Sequence, residues 1–209
     1  MMRPFIHVNC AMSADGKIAG IERKQVRISS EEDKQRVKNL RRQYDAILVG
    51  VGTVISDDPH LTVKGLNYDE NPVRIVLDPH GRTPSEALVV NDAAPTIMIT
   101  DEYCEKTWNN ADVIRCGNPL DLGLAMESLA KMGIENILVE GGGETISSFF
   151  RERMVDRFSV FVGSMVIGGR TAPTPVDGDG WVAENGVRLE LKNSEVLGDG
   201  VLLTYSPIF

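Results

Sequence analysis

Short apolar runs bounded by glycine, proline and aspartate recur along the chain, and helically spaced stretches separate many of them. Phe5–Ala11 predicts a first strand, closed by the turn Ser13-Ala14-Asp15-Gly16-Lys17, where Asp-Gly is turn chemistry. His7 reads as a strand histidine with no special role. Ser29-Ser30-Glu31-Glu32 opens a helix, with Ser29 and Glu32 at capping-box spacing and Val37, Leu40 and Tyr44 as its apolar stripe. Lys34, Arg36, Lys38, Arg41 and Arg42 cover the remainder. Most of these form a solvated face, but Arg41, adjacent to the stripe, is placed to meet an anion.

Ala46–Val49 is a second, wholly apolar strand, running through Gly50-Val51-Gly52 into a helical start at Thr53 and a proline stop at Asp57-Asp58-Pro59. Pro72–Leu77 is a third strand. Thr96–Thr100 and Asp112–Cys116 are short strands with a polar, helical segment expected between them. Leu120–Lys131 follows as an amphipathic helix, with Leu122, Ala125, Met126 and Leu129 on one face. Ile137-Leu138-Val139 is again a buried strand, Glu140-Gly141-Gly142-Gly143 a tight turn, and the residues through Phe150 a helix.

After that helix the pattern changes. Arg157–Val162 is a strand, and a loop rich in Gly, Pro and Asp runs to Gly180. Val187–Lys192 alternates like a half-exposed strand, and Val201–Tyr205 closes the chain after Gly198-Asp199-Gly200. Alternating strands and helices followed by antiparallel strands predict an α/β fold with a mixed, mostly parallel central sheet and flanking helices. No internal repeat or linker interrupts the 209 residues, so a single domain over 1–209 is expected.

Composition narrows the function. A net charge of −8 argues against a general nucleic-acid binder but leaves room for local phosphate pockets. Three widely spaced cysteines, Cys10, Cys104 and Cys116, fit reduced thiols better than a disulfide framework. The opening Met1-Met2-Arg3-Pro4-Phe5-Ile6-His7 has no signal-peptide apolar region, and no run approaches a membrane span, so a cytoplasmic protein is expected.

The candidate chemistry lies at two strand–glycine–helix junctions, around Gly50-Val51-Gly52-Thr53 and Glu140-Gly141-Gly142-Gly143. Glycines let a backbone approach a ligand closely, and a helix's first N–H groups favour an anion. Two such junctions suit the two ends of an extended phosphorylated ligand. Glu140 is a carboxylate at the carboxyl end of an apolar strand, where ligands bind in sheets flanked by helices. His80 and Arg82, in the loop Asp78-Pro79-His80-Gly81-Arg82, are candidates for a ribose 2′-phosphate and equally plain loop residues. No H-E-x-x-H, C-x-x-C pair, G-x-S-x-G, P-loop or zinc-deaminase pattern occurs, so no metal is expected and a cofactor would bring the chemistry.

An ordered set of motifs carries a resemblance. It comprises Met12-Ser13-Ala14-Asp15-Gly16-Lys17, Ile28-Ser29-Ser30, Val49-Gly50-Val51-Gly52-Thr53-Val54 with Asp57-Asp58-Pro59-His60-Leu61-Thr62-Val63, and Asn71 to Asp78. Val139 to Gly143 and Gly168-Gly169-Arg170-Thr171-Ala172-Pro173-Thr174 complete it. The chain closely resembles the reductases of riboflavin biosynthesis, which have a dihydrofolate-reductase-like fold. The run from Gly50 to Val63 is its most specific part, and the likeness extends from about Pro4 to the C-terminus. Bacterial relatives usually fuse this reductase to a zinc deaminase pattern that this chain lacks, so it looks like the archaeal and fungal type.

The resemblance implies NADPH-dependent reduction of the ribosyl group of 2,5-diamino-6-ribosylamino-4(3H)-pyrimidinone 5′-phosphate to a ribitylamino product, with NADH as an alternative donor. It implies that Thr53 and Asp57 contact the cofactor, that Asp78, Pro79, His80 and Gly81 meet its adenosine end with Gly117 nearby, and that Gly141, Gly142, Gly143 and Glu144 hold the pyrophosphate. Asp15, Arg41 and Glu140 fall where relatives bind substrate, and Glu140 is the catalytic candidate for proton movement or for fixing ribose hydroxyls. Relatives often have Thr directly after the glycines, where this chain has Glu144; it is expected to face solvent and leave the backbone N–H groups to the phosphates. The family suggests a homodimer. A reductase for the deaminated 5-amino-6-ribosylaminouracil 5′-phosphate, dihydrofolate reductase itself and a non-catalytic nucleotide-binding module are the rival readings; the Gly50-to-Pro59 run speaks against the second.

Overall fold

The computed structural model describes residues 3–24 and 26–209. The two opening methionines of the N-terminal segment lie outside them. In chain order the elements are β1 (Phe5–Ser13), α1 (Glu31–Arg41), β2 (Ala46–Gly50), α2 (Val51–Asp57), β3 (Val73–Leu77), β4 (Thr96–Thr100) and β5 (Asp112–Arg115). Then come α3 (Leu122–Lys131), β6 (Asn136–Gly141), α4 (Gly143–Arg151), β7 (Arg157–Gly163), β8 (Arg188–Leu197) and β9 (Gly200–Ile208). They form two compact units, one built mainly on Leu40–Val139 and the other on Ile6–Asn39 with Glu140–Phe209.

In the first unit the strands run in the order β5-β4-β3-β2, every neighbouring pair parallel. Residues 46–50 are buried without exception, as an apolar parallel strand between neighbours requires. Its core gathers Ile47, Val49, Val54, Val76, Met98 and Trp108. On α3 the predicted face Leu122, Ala125, Met126 and Leu129 is the buried one, and Asp121 caps the helix by accepting the Leu124 N–H at 3.0 Å.

Arg74 is the exception inside β3, with 0% of its surface exposed. Its guanidinium donates to Thr96 Oγ1, Asn91 Oδ1 and the carbonyls of Leu88, Asn91 and Ala94. A buried cation is tolerable here because five acceptors surround the fork. Burial lowers its pKa to about 10, so it stays charged at neutral pH.

The second unit pairs β1 with β7 in parallel, then β7 with β9 and β9 with β8 antiparallel. Ile6, Val8, Ile146, Phe149 and Phe161 are buried in it, and Phe150 meets Phe158 edge-on at 5.2 Å. The α/β class, the parallel strands and the C-terminal antiparallel strands are therefore as expected. No helix among the described residues is long and apolar enough to cross a membrane.

Three local expectations are corrected. The cap of α1 is Ser30, whose Oγ accepts the Asp33 N–H at 3.1 Å, and the helix begins one residue later than the Ser29 reading. Asp33, buried, then takes the Ser29 hydroxyl and Arg36 Nε. The helix ends at Arg41, so Tyr44 lies beyond it. No helix joins β4 to β5. Lys106 Nζ donates to the Gly81 and Thr83 carbonyls and Trp108 Nε1 to Thr83, holding that stretch open against the Asp78 loop. Finally, β8 reaches Leu197 and is exposed almost throughout, before the bulge between Leu191 and Asn193 as well as after it, because neither face of this outermost strand is covered by the described residues.

Candidate active site

Strand ends position the candidate residues. In the first unit β2 stops at Gly50, whose extended backbone makes it the N-cap of α2, and no side chain caps that helix. Thr53 and Asp57, four apart in α2, share one face; Thr53 is half-buried and Asp57 exposed. A Cβ at Gly52 would meet nothing within 4 Å, so the first turn is open on that side. Asp58 stops the helix in a left-handed conformation (φ 42°) and accepts the Leu88 N–H at 2.8 Å.

The end of β3 is a closed loop. Asp78 is buried, and its two carboxylate oxygens accept the N–H groups of Arg82 at 2.9 Å and Thr83 at 2.7 Å. Gly81 (φ 65°) permits the tight return, since a Cβ there would stand 2.8 Å from Cys104 Sγ. His80, exposed, has its Nδ1 2.9 Å from Asp101 Oδ2, and Asp101 Oδ1 accepts the Tyr103 N–H. Asp101 N–H in turn donates to the Pro79 carbonyl, and Glu102 N–H to that of Gly117. The structure thus brings Asp78, Pro79, His80, Gly81 and Gly117 together along the carboxyl ends of β3, β4 and β5.

In the second unit β6 continues through Glu140 and Gly141, so the turn is shorter than the three glycines suggest. Gly142 (φ 80°) is the N-cap of α4, without a side-chain cap, and Gly143 is already helical. Glu140 is half-buried; Glu144 is exposed, in the first turn where a carboxylate suits the helix dipole. Arg41, half-buried, is the last residue of α1.

Asp15 is engaged with backbone. Ser13 Oγ donates to it at 2.6 Å, Ile167 N–H at 3.0 Å and Gly168 N–H at 2.7 Å. The Ser13 hydroxyl, then the two N–H groups, hold its carboxyl down to about 2.

Sequence reasoning missed two residues of this framework, Asp101 and Asp177, and took Thr174 only as the end of the Gly168–Thr174 motif, with no role. Asp101 had a signal, since it follows β4 as Asp78 follows β3. Asp177 had none locally: its N–H donates to the Gly143 carbonyl at 3.1 Å, thirty-odd residues away in sequence.

Each unit has an uncapped helix start that follows a glycine at a strand end, α2 in the first and α4 in the second, and the α2 start has open space beside Gly52. Among the described residues no group of His, Cys, Asp and Glu could hold a metal ion.

Comparison with known proteins gives concordant findings. The family model described as RibD C-terminal domain matches residues 4–203. The 2,5-diamino-6-ribosylamino-4(3H)-pyrimidinone 5′-phosphate reductase of Methanothermobacter thermautotrophicus is 41% identical over 98% of this chain and 99% of its own length. The protein of the same name from Archaeoglobus fulgidus is 38% identical over 97% and 98%. The solved structure of a diaminohydroxyphosphoribosylaminopyrimidine deaminase/5-amino-6-(5-phosphoribosylamino)uracil reductase from Thermotoga maritima matches with TM-score 0.83 and 26% identity. It covers 99% of this chain, which spans 57% of that one.

Proposed function

Because the chain belongs to the RibD C-terminal domain family, we propose that it is the reductase that converts the ribosyl group of 2,5-diamino-6-ribosylamino-4(3H)-pyrimidinone 5′-phosphate to a ribityl group at the expense of NADPH. The observation that carries this reading is the end-to-end match to the two archaeal reductases, both covered over nearly their whole length.

NADPH, when bound, supplies the hydride that reduces C1′ of the ribose. The chain's residues bind and orient. The N–H groups at the start of α4, after Gly141 and Gly142, take the diphosphate, and the exposed Glu144 leaves them available. Thr53 and Asp57 hold the cofactor from the α2 face, and the Asp78–Gly81 loop with Gly117 receives its adenosine end. His80 and Arg82 are the 2′-phosphate readers that favour NADPH over NADH. Arg41 pairs with the substrate phosphate, and the substrate lies against the Asp15 turn. Glu140 fixes the ribose hydroxyls and assists proton movement as the ring opens, so that the main catalytic work is alignment of the reacting carbons.

The working form is a homodimer. β8 offers Leu189, Leu191 and Val196 to solvent on an edge strand, which a second copy would cover. Sedimentation of the purified protein tests this, and a monomer at micromolar concentration refutes it.

Enzyme activity is tested by following the loss of reduced nicotinamide absorbance with the diamino and the deaminated pyrimidine phosphates offered separately, each with NADPH and with NADH. Turnover with NADPH and the diamino compound is expected. Turnover with the deaminated compound alone would transfer the assignment to the reaction named for the Thermotoga relative, and NADPH binding without turnover would leave a nucleotide-binding module.

A further inference from the structure

The turn after β1 grips a distant segment. Asp15 accepts the N–H groups of Ile167 and Gly168, Ala14 N–H donates to the Met165 carbonyl, Lys17 Nζ to that of Ala172, and Ile18 N–H to that of Pro173. Gly168 (φ 71°) and Gly169 (φ 86°) both lie in the left-handed region, which lets this backbone fold into a concave N–H nest around a carboxylate. Here the anion in the nest is a side chain of the same chain.

The far end of this strap meets α4. Thr174 donates to Asp177 Oδ1 through its N–H (3.1 Å) and its hydroxyl (2.6 Å), and Asp177 N–H donates to the Gly143 carbonyl. The approach is so close that a Cβ on Gly143 would lie 2.4 Å from the Thr174 carbonyl oxygen. The third glycine of the loop is thus demanded by the strap.

We propose that Asp15 is a positioning residue for the start of α4: by holding Ile167 and Gly168, while Ala14, Lys17 and Ile18 of the same turn hold Met165, Ala172 and Pro173, it helps set how Thr174 and Asp177 seat against Gly143, and so the geometry of the helix's first turn. This goes beyond a direct contact of Asp15 with substrate. It rests on the functional reading above only where cofactor affinity is the readout.

Backbone amide exchange on the full chain without ligand supplies the other readout. In D15A, exchange is expected to quicken at Ile167 and Gly168, and also at Asp177 and at Ile146, whose N–H bonds Gly142 O. NADPH binding, titrated without substrate, should weaken about tenfold, since the first turn is loosened rather than removed. D15N, which keeps one acceptor oxygen, should fall between the two on both scales, and it carries the comparison if D15A does not fold. Faster exchange confined to Ile167 and Gly168, or a fall in kcat with Asp177 unchanged, would overturn the proposal. If the unaltered protein binds no NADPH, the functional reading fails, and the exchange pattern alone decides this one.

Discussion

Replacing Gly143 by alanine sets two effects of opposite sign against each other. Alanine is the better helix former, by about 1 kcal/mol in a helix interior. Against that, the new methyl would lie 2.4 Å from the Thr174 carbonyl oxygen and 3.0 Å from the Asp177 Cβ. The first neighbour is backbone, so the strap itself has to move. Overpacking of this kind costs about 1–3 kcal/mol. Displacing the Asp177 N–H from the Gly143 carbonyl removes about 1 kcal/mol more. The strain therefore outweighs the propensity gain, leaving a loss of roughly 2 kcal/mol, which for a chain of this size is a fall in Tm of about 4–8 °C. Thermal unfolding without ligand reads this independently of activity, and weaker NADPH binding should accompany it. G52A is the matched comparison: its methyl meets nothing within 4 Å, so its Tm should hold or rise. A G143A protein that melts at or above the unaltered chain would refute the argument that the strap dictates this glycine.

Three other outcomes are expected. R74M should cost about 3 kcal/mol in urea unfolding, because the buried Ala94 carbonyl and the half-buried carbonyls of Leu88 and Asn91 lose their donor, and R74K should recover part of it. His7 is held down to about 3, by burial first and then by the charges of Arg157 and Arg36. Its folded pKa lies below the unfolded value of 6.5, so the unfolded chain takes up the proton first and stability falls as pH drops from 6.5 towards 3; H7Q should flatten that slope in a series of denaturation midpoints. E140Q should lower kcat by about a hundredfold or more while NADPH affinity, measured by titration calorimetry, is kept; an unchanged kcat would remove Glu140 from the mechanism.

What was legible in the chain follows from the range of the forces involved. The apolar strands and the face of α3 could be read because periodicity and burial are local properties of each segment. The glycine junction at Gly141–Gly143 could be read for the same reason: strand, turn and helix are contiguous. The stretch between β4 and β5 misled because its conformation is imposed from outside, by Lys106 and Trp108 reaching the Gly81 and Thr83 carbonyls. β8 misled because alternation says which residues share a face and not whether anything covers that face, and both faces of this outermost strand stay exposed. The role of Thr174 and Asp177 stayed hidden because the bond that ties them to α4 is backbone to backbone, from Asp177 N–H to the Gly143 carbonyl, and leaves no side-chain spacing to recognise.

The acidic balance of the chain bears on how it would hold an anionic ligand. At a net charge of −8, carboxylates crowding the strand ends would oppose a dinucleotide. Several of them are instead spent on the chain's own N–H groups: Asp78 on Arg82 and Thr83, Asp15 on Ile167 and Gly168, Asp177 on Thr174, and Asp58 on Leu88. Each such bond spreads the negative charge into a loop it shapes. The helix starts after Gly50 and Gly142, by contrast, have no side-chain cap, so no side chain at the cap position takes their first N–H groups. Anion binding of this kind depends on where the backbone is held, and the acidic side chains are what hold it. Converting Asp78 or Asp15 to asparagine, which removes a negative charge, should therefore weaken cofactor binding, the reverse of what net charge alone would predict.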